Sequence, residues 1–231
     1  MRLSELNWFD VQAYLETDDR LMLVFGSCEQ HAYLSLLSDT KIPLALADAA
    51  AQQSGVLVAP PLNFGASPYF LAYPGTMSLR IATLLGVAED LVRSLYGQGF
   101  RRLLLLNGHG GNDPVRSRLY ELVSELPGLR LWWYAWWQSH SVEVICQKYG
   151  LKPAHANWLE AFPFTRLTDL PEDEKAPPHV PGLMGAQEAR RVYGDGSFGG
   201  PYQVDPAIMQ EIFDACLADI IHLLGERQEN T

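Results

Sequence analysis

Apolar residues gather along this chain in two rhythms. Four short runs, LMLVFGS (21–27), GVLVAP (55–60), RRLLLLN (101–107) and LRLWWYA (129–135), are nearly continuous and are bounded by Gly, Asn or Pro, so they predict buried strands. Between the second and third runs, Ile81, Leu84, Leu85, Ala88, Leu91, Val92 and Leu95 recur at helical spacing, with Ser78 as N-cap and Gly97 or Gly99 as the stop. After the third run, Asp113 and Pro114 open a second helix with the stripe Val115, Leu119, Leu122, Val123 and Leu126. Strands that alternate with helices in this way are joined by right-handed crossovers. The expected class is α/β, a three-layer α/β/α arrangement with a mostly parallel sheet, as a single domain over residues 1–231.

The last third is less regular. APPHVPGLMG (176–185) reads as a Pro-rich connector and GDGSFGGPYQ (194–203) as a Gly-rich loop. Asp205 and Pro206 then open a closing helix whose stripe is Met209, Ile212, Phe213, Cys216, Ile220, Leu223 and Leu224. A net charge of −10, from 17 basic and 27 acidic residues, disfavours nucleic acid or an anionic membrane as partner. The three cysteines are widely separated and form no CxxC pair, which fits a reducing cytosol better than a disulfide framework. MRLSELNWFD carries acids where an export signal needs an apolar run, and no stretch approaches the roughly 20 apolar residues of a membrane span. A soluble, cytoplasmic protein is expected.

Three polar clusters change this picture from architecture to chemistry. GSCEQH (26–31) and NGHGGND (107–113) each follow a predicted strand, so both belong at the sheet edge where ligands of such folds bind. Glu29 and His31, two apart, face one side of an extended segment, whereas a helix would turn them about 200° from each other. The glycines around His109 let backbone approach a ligand closely, but Asp113 stands where a dinucleotide fingerprint needs its third glycine. In the third cluster, PAHANWLEAF, His155 and Glu160 stand five positions apart, roughly 140° from each other on a regular helix; both reach one cavity only if His155 precedes the helix.

Each of these residues alone has an ordinary structural reading, as a capped or hydrogen-bonded side chain. Together, two histidines, two glutamates and Asp39 from three loops suit Zn²⁺, Mn²⁺ or Fe²⁺, and five ligands suffice for two ions if one carboxylate bridges. His140, His179 and His222 fall outside these clusters. Trp132, Trp133, Trp136 and Trp137 lack interleaved basic residues and read as buried strand and subunit interface.

In this order the clusters resemble the creatininase family, in which a GS(x)EQH segment precedes an Asp, NGHGGN follows a strand, and HAGxxET closes the set. Here they read GSCEQH, NGHGGN and HANWLEA, and YPGTMSL (73–79) is similar to the family's FPGTxSL loop. The resemblance implies an α/β/α domain with two divalent ions, Zn or Mn and in some cases Fe. Glu29 and His109 would hold one ion, His31 and Glu160 the other, Asp39 would bridge, and His155 would handle protons at the scissile bond. It also implies a symmetric homo-oligomer, commonly a hexamer.

The chain departs from the family pattern in several places. AYLSLLSD is one residue shorter than the usual spacing before the aspartate, and Gly111 stands where creatininase proper has a metal-binding glutamate. Asn157 and Ala161 replace the glycine and threonine of HAGxxET, and Leu151 replaces the tryptophan that closes over creatinine. The expected function is therefore a metal-dependent amidohydrolase acting on a non-peptide C–N bond, a cyclic amide or a formamide of a small molecule, other than creatinine itself. The alternative is a non-catalytic metal- or nucleotide-binding α/β protein.

Overall fold

The architecture is that of a computed structural model that describes residues 1–180 and 182–225. Its elements in chain order are α1 (Trp8–Leu15), β1 (Arg20–Phe25), α2 (Ser38–Ser54), β2 (Leu57–Val58), α3 (Ile81–Gln98), β3 (Arg102–Asn107), α4 (Pro114–Glu125), β4 (Arg130–Ala135), α5 (His140–Tyr149), α6 (Ala186–Tyr193) and α7 (Pro206–Gly225). The four strands form a wholly parallel sheet in the order β2-β1-β3-β4, a single domain of α/β/α type as expected.

Alternation along the strands divides the core. Met22 and Val24 of β1, with Leu104 and Leu106 of β3, face α2, α5 and α7. Leu21, Leu23 and Phe25, with Leu103 and Leu105, face α3 and α4. Because both faces are covered, every second residue must be apolar on each side, and the strands read as continuous apolar runs. From β1 the chain moves to one side to make β2, then crosses back to make β3 on the other. That reversal opens a crevice at the carboxyl ends of β1 and β3. Phe25 is paired in register with Asn107, so the two polar segments that follow start side by side.

Several expected boundaries shift for local reasons. The second strand shrinks to Leu57–Val58, and α3 starts at Ile81 with Arg80 at its N-cap, because the Ser78 hydroxyl is engaged by the Ser67 N–H (2.8 Å). Gly99 ends α3 in the left-handed region, and Pro114 opens α4 as expected. The helix α2 has no counterpart among the elements expected from sequence: Pro43 lies inside it, and small alanines, Ala47, Ala50 and Ala51, fill much of its buried second half. The third polar cluster forms one turn of 3₁₀ helix, Trp158–Glu160, in place of a regular helix.

No helix among the described residues is long and apolar enough to cross a membrane. Cys28, Cys146 and Cys216 are buried and free, with Cys216 on the core stripe of α7. The layered core yields a direct test. Leu104→Ala, at a site 2% exposed, should lower unfolding stability by about 2–5 kcal/mol in urea denaturation, whereas Val123→Ala on exposed α4 surface should stay within about 0.5 kcal/mol.

Candidate metal centre

The first wall of the crevice is the loop after β1. Met77 pairs with Cys28 across an antiparallel bridge, and the Gln30 N–H donates to Thr76 Oγ1 (3.1 Å). The YPGTMSL loop thus clamps GSCEQH from outside while Glu29 and His31 turn inward, 1% and 0% exposed. Cys28 lies in this clamp with its sulfur near the Gly75 carbonyl, and burial raises its thiol pKa; it is packing, not a nucleophile.

The second wall is the loop after β3, closed by its two asparagines. Asn107 donates to the His109 carbonyl (2.9 Å) and accepts the His109 N–H (3.2 Å), while Asn112 donates to the Gly26 carbonyl (3.1 Å) across the crevice. Asp39 enters from a third direction, in the first turn of α2, where the helix dipole favours an anion. Pro43 lacks the N–H that would bond the Asp39 carbonyl four residues earlier. Gly108 packs against that carbonyl: a Cβ there would sit 1.8 Å from its oxygen. The shortened run AYLSLLSD is therefore no obstacle, because Asp39 arrives on a helix start pressed against the β3 loop.

The geometry converges on this carboxylate. Asp39 Oδ1 lies 2.9 Å from His31 Nε2, and Oδ2 lies 3.0 Å from His109 Nδ1. Glu29 Oε1 is 3.4 Å from His109 Nδ1, and Glu160 Oε1 is 3.8 Å from His31 Nε2. Two three-residue groups with ligand atoms in mutual reach result, Glu29–Asp39–His109 and His31–Asp39–Glu160, sharing Asp39. A third group, Glu29–His31–His155, overlaps them. The other ring nitrogens are anchored: His31 Nδ1 lies 3.1 Å from the Glu29 carbonyl, and His109 Nε2 lies 3.0 Å from the Ala66 carbonyl. With those N–H groups donated to carbonyls, His31 Nε2 and His109 Nδ1 are the ring nitrogens left facing the carboxylates, the usual outer support of a metal-binding histidine.

Glu160 and His155 come from the third cluster. His155 precedes the 3₁₀ turn and Glu160 ends it, which is the one arrangement that brings both to the cavity. Asn157 caps that turn, accepting the Leu159 N–H (3.1 Å) and donating to the Gly199 carbonyl (3.2 Å), a role glycine could not fill. The Ala156 N–H donates to Glu160 Oε2 (2.6 Å), leaving Oε1 for His31. His155 stacks on Phe70, with ring centroids 4.6 Å apart and planes 17° from parallel.

Burial sets the electrostatics, and the carboxylates then override it for two of the histidines. Desolvation works against His31⁺, yet Asp39, Glu160 and Glu29 raise it to about 10. His109 likewise rises well above its ordinary value despite burial, through Glu29 and Asp39. Burial alone would raise Asp39, but both imidazoles outweigh it and hold the carboxyl well below the usual range. His155 goes the other way: burial first, then the neighbouring His31 charge, push it down to about 4, so the ring is neutral. Burial lifts Glu160 above the carboxylate range.

The residue set fits divalent cations on one further observation. Among the described residues, Glu29 Oε2 is a buried oxygen with no hydrogen-bond donor, and Asp39 Oδ2 has only the poorly aligned His109 Nδ1 at 3.0 Å. Buried acceptors are rarely left in that state unless another partner, such as an ion, takes them.

A cavity of about 520 Å³ opens over the cluster. Its walls add residues that the sequence did not single out for function, chiefly Ser67, Phe70, Trp137 and Phe198. The only signal for Phe198 was its Gly-rich loop; Ser67 had none. No Lys or Arg lines the cavity among the described residues. Arg101 and Arg102 lie at the amino end of β3, where Arg102 pairs with Asp18 and Asp19, and Arg80 caps α3 on the surface. His140, His179 and His222 lie away from the cluster.

Comparison with known proteins accounts for this arrangement. The family model described as "Creatininase: Creatinine amidohydrolase" matches residues 4–224. Creatinine amidohydrolase of Pseudomonas putida is 37% identical over 118 residues, 48% of this chain and 45% of that protein. The mycofactocin precursor peptide peptidase of Mycolicibacterium smegmatis is 36% identical over 99 residues, 40% of each chain. The matched segments thus span less than half the length of these relatives. A solved creatinine amidohydrolase superimposes with a TM-score of 0.83 at 23% identity, covering 100% of this chain and 98% of its own. Solved creatininases of this fold include a manganese form and a mutant of Zn-Zn type (TM-scores 0.76 and 0.77, each 24% identical and covering 96% of both chains). With the family model spanning nearly all of the sequence, and the expected motifs meeting in one cavity on the shared fold, the chain belongs to the creatininase family.

Proposed function

We propose that this protein is a metal-dependent amidohydrolase acting on a non-peptide C–N bond, a cyclic amide or a formamide of a small molecule. The observation that carries the reading is the pair of three-residue ligand groups sharing Asp39 beneath one cavity. Glu29 and His109 would hold one divalent ion, His31 and Glu160 a second, and Asp39 would lie between them. Zinc and manganese are the first candidates, since relatives of this fold carry them, with iron also compatible with the donor set. Bound ions would supply a Lewis acid for the amide carbonyl and a nucleophilic water at neutral pH.

The chain's own residues do the rest. Buried carboxylates balance the charge of the ions, and the carbonyl-anchored imidazoles keep their lone pairs aimed at the cluster. His155, neutral and stacked on Phe70 beside the carboxylates, is placed to donate a hydrogen bond to the amide at the scissile bond, while the proton that the leaving nitrogen takes up would be the one released by the nucleophilic water. With no lysine or arginine among the described lining residues, the cavity favours a neutral substrate over a phosphorylated one. Creatinine is a poor candidate because Leu151 replaces the closing tryptophan. The buried free thiols support a reducing, cytoplasmic setting.

Loading purified protein with Zn²⁺ or Mn²⁺ and screening small lactams, formamides and ureas tests this reading. Turnover is expected in the loaded protein, and Glu29→Ala or His109→Ala should abolish it and lower metal content while the circular dichroism spectrum stays native. Less than one equivalent of metal after loading, with no thermal stabilisation, would return the protein to the non-catalytic alternative.

Protons provide a second test. With His31 and His109 held protonated by their carboxylates, an ion must displace those protons, so affinity should rise with pH up to about 10. Calorimetry of metal binding at pH 7 in buffers of different ionisation enthalpy should report at least about one proton released per ion.

We also propose a homo-oligomer, with the half-buried Trp132 and Trp133 on the edge strand β4 within its interface. Sedimentation should give a mass above the 25.8 kDa of one chain; a monomer at micromolar concentration would overturn this.

A further inference from the structure

Gln30 stands between Glu29 and His31 but has no place in the ligand set, although its side chain is nearly as buried, at 5% exposure. Its amide is tied at both ends to backbone. Oε1 accepts the Ala32 N–H (3.1 Å), and Nε2 donates to the Gly196 carbonyl (3.1 Å). Turning the amide over would set N–H against N–H at Ala32 and oxygen against oxygen at Gly196, so these partners determine which end is nitrogen. Gly196, at φ +105°, is what lets the Gly-rich loop come this close: a Cβ there would lie 1.6 Å from Gln30 Oε1.

The second amide hydrogen then has one destination. Gln30 Nε2 lies 2.8 Å from Nε2 of His155, and for that contact to be a hydrogen bond the imidazole nitrogen must accept. A neutral imidazole accepting at Nε2 carries its hydrogen on Nδ1. The Gln30 backbone carbonyl also lies near this nitrogen, at 3.1 Å, and would favour the opposite tautomer. That alternative sets a ring N–H against the amide N–H at the shorter 2.8 Å, so the amide contact decides. Nδ1 is the atom facing Glu29 Oε1, at 3.7 Å. The ring cannot rotate away, since Phe70 stacks on it, the Phe198 ring lies 5.0 Å off, and the Phe198 N–H holds the His155 carbonyl (3.0 Å).

We propose that Gln30 is a positioning residue that holds His155 as the neutral tautomer protonated on Nδ1, with that N–H turned toward the carboxylate cluster and the cavity. Its catalytic consequence rests on the amidohydrolase reading; the tautomer itself does not. His155 then offers the substrate a hydrogen-bond donor and no lone pair, so it acts on the oxygen or nitrogen of the amide. Taking a proton from the nucleophile falls to the carboxylates. The Gly-rich loop, which the ligand set leaves unexplained, thereby gains a role, because its Gly196 carbonyl sets the Gln30 amide and through it the ring.

The test is two-bond ¹H–¹⁵N correlation on zinc-loaded protein labelled at histidine, with the His155 ring assigned by its loss in His155→Gln. Wild type should show Nδ1 protonated and Nε2 as an acceptor. Gln30→Glu, whose carboxylate only accepts, should move the proton to Nε2, and Gln30→Met should leave a mixture. In both variants kcat should fall by about 10–100-fold, the range typical of lost outer support, with KM changed far less and zinc content unchanged. A wild-type ring protonated on Nε2, or a tautomer indifferent to Gln30→Glu, overturns the proposal. Absence of turnover across the substrate panel with Nδ1 protonated would remove the amidohydrolase reading and leave the tautomer assignment standing.

Discussion

The site depends on one buried carboxylate, Asp39, held between two imidazoles that come from different strand ends. A carboxylate 3% exposed is stable only if positive charge reaches both of its oxygens, and His31 and His109 do so at 2.9 and 3.0 Å. That requirement constrains the rest of the crevice. β1 and β3 must be neighbours in register, α2 must begin where their loops meet, and Gly108 must have no side chain. The reversal of strand order supplies the space, because the connections that follow β1 and β3 lead to strands on opposite sides of that pair.

Around this centre the family motifs act as joinery as much as chemistry. Asn107 and Asn112 close their own loop and stitch it to Gly26, and Thr76 and Met77 clamp the Glu29–His31 segment. Lys175 serves the third wall, its ammonium accepted by the Tyr193 and Ser197 carbonyls and by Asp195. It thereby braces the Gly-rich loop that carries Phe198 to the cavity and Gly196 to Gln30. Backbone carbonyls and amides would otherwise be unpaired in such buried loops, and these side chains satisfy them.

Much of this was legible in one dimension, and the limits are instructive. The strands announced themselves because burial on both faces leaves no polar positions, and Pro114 and Gly99 marked helix ends through fixed backbone preferences. α2 was hidden: Pro43 argues against a helix, and an alanine-rich stripe gives weak periodicity, yet packing under the sheet offsets both defects. Glu29 and His31 were readable from a two-residue spacing that only an extended segment turns to one side. Ser67 was not, since nothing in its local sequence distinguishes a cavity wall from any other loop residue, and the Gly-rich loop around Phe198 gave no sign of which residue would line the cavity.

The sequence by itself determined the class of fold, the order of its four strands with helices α3, α4 and α7, and the residue types able to bind a cation, because strand burial, helix capping and ligand chemistry are all written in local pattern. Only the tertiary structure decided that Asp39 reaches both histidines, that His155 and Glu160 share one cavity, and that Gln30 bonds His155. Those are contacts between segments dozens of residues apart, and their distances follow from how the sheet and helices pack, which no spacing along the chain encodes.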